Sequence, residues 1–140
     1  MKKDRSPRGT RWVGGLVLLA IIAGGLYLYW QKIGTFQHLD PARLTGRWLR
    51  LDGGYILELS GAGPKGLVKA AYFNPRPINV SRAEWQRQEG RLGLFVELRD
   101  VNYPGSTYTL VYQGKNDRLV GIYYQATLRH QFDVEFVRMR

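Results

Sequence analysis

From residue 46 onward, apolar and polar positions alternate in short runs. Leu92, Leu94, Val96 and Leu98 share one face of such a run, and Phe132, Val134 and Phe136 share a face of another. A period of two is the mark of a strand with one buried side. The pattern predicts eight strands: Arg47–Leu51, Tyr55–Ser60, Leu67–Phe73, Ile78–Gln88, Arg91–Arg99, Thr107–Gln113, Arg118–Ala126 and Gln131–Met139. All but one of the separators supply glycine, proline or Asn/Asp, the residues that stop strands and populate unusual φ; the exception is Arg129-His130. Eight short strands with short connections point to an all-β domain, an eight-stranded antiparallel up-and-down barrel over residues 46–140. Closure would remove the edges that invite aggregation. A two-sheet β-sandwich is the alternative that the same strand count permits.

Upstream the pattern is different. Residues 12–30 read WVGGLVLLAIIAGGLYLYW, nineteen positions without a charge. As a helix rising 1.5 Å per residue this segment spans about 28 Å, close to the roughly 30 Å hydrocarbon core of a bilayer. Trp12 stands at one end, and Tyr27, Tyr29 and Trp30 at the other, where interfacial aromatics belong. Lys2, Lys3, Arg5, Arg8 and Arg11 precede the run against Asp4 alone, and the fifteen residues after it contain only Lys32 and Arg43. That asymmetry places a basic segment, residues 1–11, in the cytoplasm and the remainder across a bacterial inner membrane, in the periplasm. A cleaved signal peptide ending near Ala23-Gly24-Gly25 is the competing reading. The apolar run continues five residues past that point into the aromatic belt, which favours an uncleaved signal anchor.

Residues 31–45 form a tether in which Asp40-Pro41 predicts a single helical turn through Leu44, an N-cap followed by proline at the first helical position. The 140-residue chain carries 21 Lys and Arg against 11 Asp and Glu, a net charge of +10. Residues 1–11 contribute +4 of it as an orientation signal and residues 31–140 the other +6 as scattered single charges, so nucleic acid, which high basicity alone would suggest, is not an expected partner. The absence of cysteine excludes disulfides and thiolate metal sites, and two histidines, His38 and His130, are too few for a histidine-rich metal centre. No cofactor is expected.

Leu44-Thr-Gly-Arg-Trp48 resembles the Gly-x-Trp start of the first strand in lipocalins and avidins, the calycin superfamily. There a short helical turn precedes the motif, and the tryptophan packs at the closed barrel end against a basic residue of the last strand. Gly46, Trp48 and Arg138 match that signature, with Arg138 in phase with Phe132, Val134 and Phe136. The resemblance covers roughly residues 40–140 and implies the barrel; avidin's biotin-contacting motifs do not occur in order, so it implies no ligand. Segments 71–81 and 95–108 resemble bacterial membrane-anchored envelope proteins without an assigned function, which implies a location only.

An up-and-down topology sends connections one, three, five and seven to one end of the barrel, and two, four and six to the other with both termini. The first end collects Asp52-Gly53-Gly54, Asn74-Pro75-Arg76-Pro77, Asp100–Gly105 and Arg129-His130. Loops on a rigid scaffold carry function, and barrel mouths are preferred sites. The candidate binding residues are therefore Asn74, Arg76, Asp100, Asn102, Tyr103 and His130. Arg76, held between two prolines, suits a carboxylate or phosphate, and Tyr103 suits an aromatic contact. The alternative is a pairing of Arg76 with Asp100 across the rim. Asp52, Asp100 and His130 share this end without a placed nucleophile, so no catalytic residue is assigned and the protein is not expected to be an enzyme.

Two functions follow. One is a membrane-tethered periplasmic interaction module that binds a partner protein or envelope polymer through its membrane-distal loops, as an accessory subunit of a membrane complex. The other is a lipocalin-like carrier of a small apolar ligand in a lumen lined by Tyr108, Tyr112, Tyr123 and Tyr124. Filling of that lumen by Trp85, Phe132, Phe136 and the tyrosines would remove the second.

Overall fold

The computed structural model describes residues 39–140; the basic segment, the predicted span and most of the tether lie outside the described residues. Among the described residues no helix is long and apolar enough to cross a membrane. The chain enters as expected: Asp40 accepts a hydrogen bond from the Ala42 amide at 2.9 Å, and Pro41–Leu44 forms one 3₁₀ turn.

Nine strands follow: β1 (Gly46–Arg50), β2 (Ile56–Ser60), β3 (Lys69–Asn74), β4 (Arg76–Ile78), β5 (Val80–Gln88), β6 (Arg91–Asp100), β7 (Tyr103–Gln113), β8 (Arg118–Gln125) and β9 (His130–Arg138). They form one antiparallel sheet in the order β4-β3-β2-β1-β9-β8-β7-β6-β5. Neighbours in the sheet are neighbours in sequence except where β1 meets β9, which makes the fold an up-and-down meander that curls onto itself. The two edges, β4 and β5, are consecutive in the chain. Between them Leu67 bridges to Glu84, and the Trp85 amide donates to Gly66 O at 2.7 Å. The result is a nearly closed barrel of nine strands rather than eight, and not a two-sheet sandwich.

The ninth strand arises because the run predicted as one strand, Ile78–Gln88, is divided at Asn79. The Asn79 amide donates to Asp100 Oδ2 at 2.7 Å, its side-chain amide donates to Arg99 O, and its carbonyl accepts from the Arg99 amide. The end of β6 thus holds Asn79, while Arg76–Ile78 turns back onto β3. Pro75 and Pro77 have no N–H to extend that ladder, which ends after three residues. A register shift between Val80 and Arg82 follows, and the Ser81 hydroxyl turns to Glu97.

The predicted Asp100–Gly105 loop is also shorter than expected. Asp100 pairs with Tyr103, which leaves Val101-Asn102 as the turn, with Asn102 at φ +68°. Tyr103, Pro104 and Gly105 belong to β7. A bulge opposite Leu98/Arg99 absorbs Gly105, whose φ of +90° a side chain would resist.

The barrel has two unlike halves. At the base, where the chain enters, Leu44, Trp48, Leu57, Leu59, Leu92, Leu94, Leu110, Tyr112, Leu119 and Phe136 are buried in one core. Burial of each such side chain is worth about 1.5–3 kcal/mol, so these residues carry most of the apolar stabilisation of the base. Trp48 meets Tyr112 edge to face with ring centroids 6.1 Å apart and donates its indole N–H to Leu44 O. The guanidinium of Arg138 covers the other side of the indole. It donates to Thr45 O and Arg43 O, both at 2.6 Å, and to the Asp117 carboxylate. Gly46 makes room for it: a Cβ there would stand 2.6 Å from an Arg138 nitrogen, and its φ of +137° disfavours any side chain.

Candidate functional site

At the other end the packing stops short of the rim. The β1–β2, β3–β4, β6–β7 and β8–β9 elements surround a cavity of about 1160 Å³ whose lining includes Asn74, Arg76, Asp100, Asn102 and Tyr103. Five of the six predicted binding residues thus share one mouth. His130 does not line it: the exposed imidazole instead meets the Phe132 ring edge to face at 4.8 Å.

The floor holds a residue that the sequence reading passed over. Trp48, Arg50 and Asp52 follow the period-two spacing, which directs Arg50 inward one step above Trp48. Arg50 is only 7% exposed. Its Nε and one terminal nitrogen donate to the two oxygens of Asp52 at 2.6 and 2.7 Å, and the other terminal nitrogen donates to Tyr108 Oη at 3.0 Å. The guanidinium lies 4.8 Å from the Tyr55 ring centroid and 5.0 Å from that of Tyr123, so aromatic faces border the charge as well. Tyr108 Oη in turn is 2.8 Å from Tyr72 Oη. A buried cation is costly unless paired and hydrogen-bonded, and this one has both forms of compensation.

Electrostatics follow from that geometry. Burial works against the charged form of Arg50, but the Asp52 hydrogen bonds and the Tyr108 phenol outweigh it and raise its pKa. The Arg50 hydrogen bonds hold the Asp52 carboxyl below its ordinary value. Burial pushes the Tyr108 phenol up to about 12 and Tyr72 higher still, so both hydroxyls stay protonated donors. The alternating pattern marked Tyr108 as inward-facing, but its hydroxyl contacts depend on strands 36 and 58 residues away.

At the rim the expected pairing of Arg76 with Asp100 is not formed. Asp100 accepts from the Asn79 and Val101 amides, both at 2.7 Å, which holds its carboxyl below the usual value. That carboxylate is a loop cap. Arg76 is exposed and has no ion-pair partner among the described residues. Asn74 donates its side-chain amide to Tyr103 Oη, and the Tyr103 ring stands edge to face with Tyr72. Asn102 shapes the turn through its left-handed backbone.

The turns around the cavity carry exposed apolar side chains. Leu51, Val101 and Leu128 are 55%, 80% and 64% exposed, and each sits on a different connection at the mouth. Of the proposed lumen fillers, Phe136 is buried and Phe132 lines the cavity, whereas Trp85 sits at the seam and donates its indole N–H to Gly63 O at 2.8 Å. Ser106 is fully buried and accepts from the Ala126 amide, a structural role. Among the described residues no three His, Cys, Asp or Glu side chains come together as a metal site.

Comparison with protein-family models, curated proteins and solved structures yields no match.

Proposed function

We propose that this chain is a membrane-tethered interaction module, anchored by residues 12–30 in a bacterial inner membrane with the barrel in the periplasm, and that its mouth receives a segment of a partner protein or envelope polymer. The observation that carries this reading is the polar cavity, with exposed Val101 on its wall, Leu51 and Leu128 on neighbouring turns of the same end, and at its lip Arg76, which has no ion-pair partner among the described residues. Projecting apolar tips around a rigid polar recess suit a partner that both covers the rim and inserts a polar group. Arg76 supplies a forked donor for a carboxylate or phosphate on that group.

The role is binding rather than catalysis: the two mouth carboxylates are committed, Asp52 to Arg50 and Asp100 to backbone amides. The cavity would also admit a small molecule, which keeps a lipocalin-like carrier as the second reading. Its lining of Arg50, Asp52, Asn74, Arg76 and tyrosines favours a polar occupant over the apolar ligand such a carrier would hold.

The test is mild cross-linking in native membranes followed by purification of the tagged full chain, with mass spectrometry for bound proteins, glycans and small molecules. A partner recovered with the wild type and lost with both Arg76→Ala and Val101→Asp supports the reading. Recovery unchanged in both variants, or a chain that is always isolated alone, would overturn it.

A further inference from the structure

Cations scattered along the sequence are gathered by the fold at the base of the barrel. Arg43 lies in the 3₁₀ turn, Lys65 in the β2–β3 connection, Arg91 at the start of β6, Lys115 in the β7–β8 turn and Arg140 after β9. All five are exposed, and none enters an ion pair among the described residues. Arg87, Arg118 and Arg138 stand at the same end, donating to Leu39 O, Glu135 and Asp117 respectively. The nearby carboxylates are few. Asp117 is engaged by Arg138 and Glu135 by Arg118, Asp40 caps the turn, and Glu89 remains. The mouth, by contrast, pairs its buried Arg50 with Asp52 and holds a second carboxylate, Asp100.

The chain also enters at this basic end. Leu39 accepts from Arg87 and lies near Gly114 of the β7–β8 turn. Between Trp30, the last residue of the predicted span, and Leu39 there are only residues 31–38, which reach at most about 28 Å when fully extended. A tether that short limits how far the base can leave the bilayer, and anionic headgroups attract its Lys and Arg side chains once it comes within roughly a Debye length of 8–10 Å.

We propose that the base of the barrel is a docking face for an anionic bilayer surface, contacting lipid phosphates through Arg43, Lys65, Arg91, Lys115 and Arg140. This rests on the anchored reading above and adds an orientation to it. With the base on the headgroups, the mouth is held upright and away from the lipid, so Arg76 is not drawn into competition for the same phosphates.

The cysteine-free sequence makes the test direct. Full-length chains bearing Asn116→Cys at the base or Leu128→Cys at the mouth are nitroxide-labelled and placed in nanodiscs of phosphatidylcholine, with or without phosphatidylglycerol. Accessibility to a water-soluble nickel complex is then measured. The label at Asn116 is expected to lose accessibility by about threefold or more in the anionic discs, while the label at Leu128 does not change. About 0.5 M salt, or the double variant Arg91→Glu/Lys115→Glu, should restore it. Equal accessibility at Asn116 in both lipids, or an equal loss at both positions, overturns the proposal while the chain stays in the discs. Failure of the chain to remain in discs of either composition overturns the anchor as well.

Discussion

The guanidinium of Arg138 lies 4.1 Å from the ring centroid of Trp48, the residues pairing across β1 and β9 where the meander closes on itself. One side chain there joins the last strand, the first strand, the 3₁₀ turn and the β7–β8 turn. Replacing Arg138 with Ala should cost about 2–3 kcal/mol of stability in urea denaturation, from charge-assisted hydrogen bonds and the cation–π contact together. Arg138→Lys should recover only part of that, because an ammonium cannot reach Thr45, Arg43 and Asp117 with one planar fork. A loss below about 0.5 kcal/mol for the Ala variant would mean that the closure does not depend on this residue.

Gly46→Ala is expected to destabilise by a similar amount. The added Cβ would displace the Arg138 guanidinium and hold Ala at a φ of +137°. Combining it with Arg138→Ala tests the coupling. The double variant should cost clearly less than the two single losses added together, since the clash disappears with the arginine.

The tyrosine network beneath the mouth makes stability fall in alkali. Unfolded phenols ionise near pH 10, whereas Tyr108 in the fold does so only near 12, because burial opposes the phenolate. A raised folded pKa contributes stabilisation that is complete below pH 10 and is lost as pH rises through about 12. Thermal denaturation between those values should show a declining Tm, with a shallower decline in Tyr108→Phe. That variant should itself lose about 1–3 kcal/mol at neutral pH, since Arg50 and Tyr72 both lose a buried partner.

Arg76→Ala should separate binding from folding. The side chain is exposed and unpaired among the described residues, so stability should stay within about 0.5 kcal/mol of wild type. Recovery of a mouth-bound partner should fall about tenfold or more, the worth of a charge-assisted hydrogen-bonded contact. A destabilised Arg76→Ala chain would assign this arginine to the fold instead.

The seam between β3 and β5 should be the weakest part of the barrel. It is held by the Leu67–Glu84 bridge and by the Trp85 hydrogen bonds to Gly63 and Gly66. Trp85→Phe should accelerate amide exchange in residues 66–71 and 80–85 while β7 and β8 keep their protection. Uniform acceleration across all strands would show that the seam opens only with global unfolding.

The alternation of Leu92–Leu98 and Phe132–Phe136, the turn residues between runs and the Asp40-Pro41 start make the meander legible in the sequence, because strand periodicity and turn chemistry are local. The Arg138–Trp48 contact was also legible through in-phase spacing and the Gly-x-Trp resemblance. The division at Asn79 was not. It depends on Asp100 and the Arg99 backbone, twenty or so residues away, competing for Asn79 against continuation of the strand. Asp100 looked like a rim carboxylate open to Arg76 for the same reason, since its actual partners are backbone amides that only the folded turn presents.

By itself the sequence determined the strand pattern, the mouth-side grouping of Asn74, Arg76, Asp100, Asn102 and Tyr103, and the hydrophobic segment that predicts an anchor. Tertiary structure alone decided that the barrel nearly closes with nine strands, that Arg50 lies buried under the mouth, that His130 stands outside it and that exposed cations gather at the base. The difference is one of range. Periodicity and turn preference are properties of a few adjacent residues, whereas burial, pairing and charge clustering depend on which distant strands the closed barrel brings together.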